Sequence, residues 1–147
     1  MNLTEHFTLA EFTDSQTALR KGISNMPSEM AIANLHRVAE VLEQIRALFG
    51  KPLVISSGYR SPALNSAVGG ASSSAHLTGL AADFTVPGMT PRETARAIAK
   101  SNIKFDQMIV EFGAWVHIGL SQGPLRQEIL TAKRGDSGAT VYTKGIE

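Results

Sequence analysis

The segment "NMPSEMAIANLHRVAEVLEQIRALFG", Asn25 to Gly50, constrains the fold more than any other part of the chain. Leu35, Val38, Leu42, Ile45 and Phe49 recur at steps of three and four, so they fall on one stripe of a long helix. Such a stripe must be covered, and the β-rich runs further along the chain supply a sheet to cover it. Pro27 suits the first turn of this helix and Gly50 its exit. His36 stands beside the edge of the stripe and reads as a surface or boundary residue, as does His6 near the start.

Other signals place the remaining elements. "TLAE", Thr8 to Glu11, has capping-box spacing and predicts a short helix. Thr90, Pro91 and Glu93 repeat that signal with Pro at the first helical position, so "TPRETARAIAKS" opens another helix. "PLVISSGY" reads as a buried strand ending in a turn, and "AADFTV" as a second short strand. "FDQMIVEF" and "WVHIGL" flank the Gly113 region as a hairpin, and "EILTAK" and "GATVYT" give one or two further strands. Helices come first, then strands with one helix inserted. That order predicts an α+β fold in which helices cover one face of an antiparallel β-sheet. No repeat or low-complexity linker interrupts the chain, so residues 1–147 are expected to form one domain.

Composition narrows the chemistry. The chain has no cysteine, which excludes disulfides, thiolate metal sites and a cysteine nucleophile. Any metal must be held by His, Asp or Glu, and only four histidines exist. A net charge of +1 gives no reason to expect nucleic acid or an anionic membrane as partner. "MNLTEHFTLAEFTDS" has no basic region followed by an apolar run, and no segment is long enough for a membrane span. The expectation is a monomer made in the cytoplasm without a signal peptide and without membrane insertion.

Three residues carry the metal question. Along "AWVHIGL", strand alternation turns Trp115, His117 and Gly119 one way, and Val116, Ile118 and Leu120 toward the core. His76 ends a Ser- and Gly-rich loop, and Asp83 lies on the short strand after it. Two neutral imidazoles and a carboxylate suit Zn2+, and three protein ligands leave a fourth position for a water that can be activated to attack a carbonyl. The same three side chains also read as a capping Asp, a polar loop His and a cleft-lining His. The glycines of "VGGASSS" and Gly79 lack the pattern of a phosphate loop and read as letting the loop approach the metal strand closely. No nucleophile elbow accompanies "SSS", so a serine nucleophile is not expected.

"SSGYRSPALNSAVGGASSSAHLTGLAADF" followed by "VEFGAWVHIGL" resembles the zinc D-alanyl-D-alanine carboxypeptidase and endopeptidase family, peptidase M15 subfamily A, which shares the hedgehog/DD-peptidase fold. The motif is Ser74, His76, Gly79, Ala81, Asp83, Trp115 and His117, and the likeness extends from "FTLAEF" into the tail. The resemblance implies zinc held by His76, Asp83 and His117, and Arg60 of "GYRS" in the active site, binding a carboxylate or the developing oxyanion. It implies a bacterial peptidoglycan peptide as substrate, with a D-amino acid beside the scissile bond. The short form resembles phage-encoded cell-wall peptidases, which act on the wall after release. Ser74 and Trp115 are expected to contact substrate; Tyr59 and Asn65 shape the same loop.

The general base departs from the commoner family pattern. Three residues before His117 stands Ala114, which cannot carry a proton. Glu111, six before, is the expected base, across the hairpin from the histidine. Asp106 is the fallback, or a partner to a ligand histidine. The rival reading is a non-catalytic zinc-binding recognition module of a phage particle. The orientation of Glu111 discriminates the two.

Overall fold

The computed structural model describes residues 1–147, and the long helix organises it. This is α3, Glu29–Phe49, capped by the Ser28 side chain and ended by Gly50 in the left-handed conformation. Pro27 therefore lies before the cap rather than in the first turn, because the Ser28 hydroxyl is placed to accept from Ala31 N–H. Leu35, Val38, Leu42 and Ile45 are essentially sealed from solvent. The stripe is as the periodicity predicts, except that Phe49 is only half-buried.

Two short helices precede it. Helix α1, Leu9–Thr13, starts at the expected capping box of Thr8 and Glu11. Helix α2, Gln16–Lys21, was not anticipated; Ser15 caps it and Gly22 ends it. After α3 come β1, Val54–Ser57, and α4, Pro62–Ala67. A 3-10 turn, Ala75–Thr78, leads into β2, Ala81–Thr85. Helix α5, Pro91–Ala99, has the predicted Thr90–Glu93 capping box. The chain closes with β3, Gln107–Glu111, β4, Trp115–Gly119, β5, Glu128–Arg134, and β6, Thr140–Lys144.

The six strands form one sheet in the order β1-β2-β4-β3-β5-β6. All neighbours are antiparallel except β3 and β5, which run parallel. The fold is thus α+β with a mostly antiparallel sheet. The segment read as a buried strand is instead the edge strand β1, with Val54 half exposed, because only β2 pairs with it.

Alternation splits the strands into two faces. Ala82 and Phe84 of β2, Val116 and Ile118 of β4, and Met108 and Val110 of β3 join the α3 stripe and Ala95 and Ile98 of α5 in one apolar core. The intervening residues Asp83, His117, Ile109 and Glu111 point the other way. No helix is long and apolar enough to cross a membrane.

Candidate metal centre

The site is assembled where β2 and β4 pair. Asp83 and His117 are direct cross-strand partners, so their side chains leave the sheet together. His76 reaches them from the 3-10 turn that precedes β2. Ser74 caps that turn, its hydroxyl accepting from the His76 N–H at 3.2 Å. Gly79 ends the turn with φ +76°, and a Cβ there would lie 2.6 Å from the Ala31 carbonyl of α3. Gly79 thus allows close approach to the long helix, not to the metal strand.

The three side chains converge. His76 Nε2 lies 3.2 Å and His117 Nδ1 3.0 Å from the same oxygen of Asp83. One donor atom from each residue falls within 4.8 Å of the others, and all three residues are buried. His76 Nδ1 sits 2.6 Å from the Gly58 carbonyl, a contact that requires the proton there and makes Nε2 the nitrogen that faces Asp83. The set of two imidazole nitrogens and one carboxylate oxygen, held by the 3-10 turn, β2 and β4, fits a zinc ion. Burial pushes the Asp83 carboxyl upward, but the two histidines beside it more than offset this and hold it well below the usual carboxylate range.

Glu111 turns toward this cluster. Its Oε1 is 3.9 Å from His117 Nδ1, and its Oε2 accepts from the Trp115 indole N–H at 3.0 Å. Burial and the nearby charge of Asp83 raise its pKa, against opposing pulls from His117, Trp115 and Arg60. The turn that positions it is closed by Ala114 N–H to the Glu111 carbonyl at 2.9 Å. Its central residues Phe112 and Gly113 have φ of 57° and 64°, as a mirror-image type I′ turn requires. A phenylalanine in that conformation costs about 1–2 kcal/mol. Its ring meets Trp115 edge-on at 5.8 Å and lies under the Arg134 guanidinium at 4.9 Å.

The loop of residues 58–61 is clamped from three sides. Tyr59 N–H donates to the Phe12 carbonyl at 2.7 Å and Arg60 N–H to the His76 carbonyl at 3.0 Å. Asn25 donates to the carbonyls of Thr13 and Tyr59 and accepts from Ser61 N–H. Gly58 is needed because a Cβ there would lie 2.6 Å from that of Phe12. The Arg60 side chain is half-buried, feels the charges of Asp83 and Glu111, and its Nε has no protein partner. Burial pulls its pKa down, against the pull of those two carboxylates.

Asp106 does not join the site. It forms a two-pronged pair with Arg126 at 3.0 and 2.9 Å, and the Gly58 carbonyl serves as the partner to His76 instead. Asn65 is buried and bonds the Ala71 carbonyl from the α4 side. Asn25 and Gly58 were missed by sequence reasoning. A carbonyl carries no side-chain signal, and in the sequence the adjoining "NMP" signals only a helix start.

Two grooves reach the cluster. One, of about 830 Å³, contains His76, Asp83, Glu111 and His117 along with Ser74 and Trp115. The other, of about 500 Å³, opens past Asp14 and Tyr59 and shares Arg60, Asp83 and Trp115 with the first. All three donors thus open to the larger groove, and Asp83 also to the smaller.

A family model described as Peptidase M15 matches residues 5–119, a stretch that includes Arg60, all three donors and Glu111. The comparison with curated proteins gave no match.

Proposed function

The chain belongs to the peptidase M15 family, and on that premise we propose that it hydrolyses peptide bonds of bacterial peptidoglycan, in stem peptides or cross-links, with zinc at His76, Asp83 and His117. The observation that carries this reading is the convergence of those three donors with Glu111 turned toward them rather than toward bulk solvent. When bound, zinc supplies a Lewis acid for the scissile carbonyl and lowers the pKa of water.

The chain's own residues do the rest. Asp83 and the Gly58 carbonyl fix the imidazole orientations. Glu111 takes a proton from the attacking water and returns it to the leaving amine; its raised pKa makes it a better base at neutral pH than an ordinary carboxylate. Arg60, free at Nε and held by its clamped loop, binds a substrate carboxylate or the developing oxyanion. Ser74 and Trp115 line the groove through which the peptide passes. The orientation of Glu111 supports an enzyme over a non-catalytic zinc module.

Digestion of purified peptidoglycan, with products weighed by mass spectrometry, tests this. Wild-type protein is expected to release peptides of defined mass, and Glu111→Ala or chelator-treated protein to release none. Equal release by all three preparations contradicts a metallopeptidase.

A further inference from the structure

The groove does not stop at the metal donors. Its far wall is made by Leu130, Arg134, Thr140 and Tyr142 of β5 and β6. These strands lie beyond the residues that the family model matches. Strand register explains the continuity. Asp83 pairs with His117, His117 with Ile109, and Ile109 with Leu130, so these four form one row across a single face of the sheet. Ala132, next along β5 on that face, pairs with Tyr142 of β6. With strands about 4.8 Å apart, Leu130 stands about 10 Å and β6 about 14 Å from His117. Extended peptide advances about 3.3 Å per residue, so three to four residues of a bound strand span that distance.

The chemistry of this wall is selective. Arg126 is held by Asp106 and Lys133 by Glu147, whereas Arg134 has no carboxylate partner and makes only a 3.4 Å contact with the Gly138 carbonyl. Its guanidinium is instead set over the Phe112 ring, and Phe112 rests on Trp115, which donates to Glu111. An unpaired cation is thus mechanically joined to the rim of the metal centre. Tyr142 exposes 56% of its surface, more than most aromatic side chains of this chain, and Leu130 is half-buried beside it.

We propose that Leu130, Arg134 and Tyr142 form a substrate subsite on the C-terminal hairpin that takes an acidic part of the peptide, three to four residues from the bond cut. Arg134 pairs with the carboxylate, and Leu130 and Tyr142 pack against the adjoining aliphatic chain. This rests on the peptidase reading above.

The test uses two peptides carrying the bond that wild-type protein cleaves in purified peptidoglycan. One extends to a carboxylate three or four residues away; the other ends before it. The quantity read is the ratio of kcat/KM for the long peptide over the short one. Arg134→Ala is expected to lower that ratio about ten- to hundredfold, through KM, as loss of a charge-assisted contact implies. Arg134→Lys is expected to restore part of it, and Tyr142→Ala to lower it less. The short-peptide rate reports whether each variant is folded. A ratio unchanged in Arg134→Ala and Tyr142→Ala overturns the subsite while leaving the peptidase reading intact. Wild-type protein that cleaves no peptidoglycan peptide overturns that reading and the subsite with it.

Discussion

Strands β2, β3 and β4 present two faces built from alternate residues of the same short segments, and the two are chemically opposite. One face, with Ala82, Phe84, Met108, Val110, Val116 and Ile118, is apolar, packed under α3 and α5, and almost wholly dry. The other holds Asp83, Glu111 and His117, a buried carboxylate between histidines and a second acid nearby. Phe84 and Asp83 are adjacent in sequence, yet one supplies packing energy and the other a candidate metal donor. Stability and chemistry should therefore be separable by substitutions only one residue apart.

The largest separation is expected at Glu111. Glu111→Gln should lower kcat by about 10²–10⁴-fold, the usual contribution of a general base. Folding stability should hold or rise slightly at neutral pH, since the folded state raises the pKa of this carboxyl and so disfavours its charge. Denaturant melts alongside peptide hydrolysis check both halves, and an unfolded variant would merge the two faces into one function. On the dry face, Phe84→Ala should cost about 3–5 kcal/mol of stability, because a fully buried ring leaves a cavity. Below its melting range that variant should still bind zinc. Loss of zinc binding while folded would show that core packing sets donor geometry more tightly than the comparison allows.

Asn25 sharpens the boundary between the two. Its side chain hydrogen-bonds to no residue of the cluster, but its amide ties Thr13, Tyr59 and Ser61 around the Arg60 loop. Asn25→Ala should cost about 1–3 kcal/mol and raise KM through Arg60, with a smaller loss of zinc affinity, because the same loop also holds His76 through the Gly58 carbonyl. The smallest effect is expected at Trp115→Phe. This removes the indole N–H that favours the Glu111 carboxylate, so its pKa rises and the acidic limb of the pH–rate profile moves to higher pH. A limb that stays in place would assign the base to another residue.

Much of this arrangement is legible in the sequence because it depends on local period and local caps. The α3 stripe follows a 3.6-residue period, the Thr8–Glu11 and Thr90–Glu93 boxes are three-residue signals, and alternation alone turns His117 away from Ile118. What was not legible depends on distant partners. The parallel pairing joins β3 to β5 past β4, which intervenes in sequence but pairs on the other side of β3, and β1 lies at the edge because it has no second neighbour. The Ser61 cap that starts α4 and the 3-10 turn that carries His76 lie in a stretch whose serines and glycines resemble a plain loop. The residues alone offer His76, Asp83 and His117 as a zinc set beside a plainer reading; the family resemblance favours the zinc set and adds Arg60, and the matched family model covers all four.

Zinc titration by calorimetry, on metal-free wild-type protein and on His117→Ala, bears most directly on the central claim. The account predicts one zinc bound per wild-type chain, and a folded His117→Ala protein whose affinity is lower by several orders of magnitude. Wild-type protein that takes up no zinc, or a His117→Ala variant that binds it as tightly, would contradict the account.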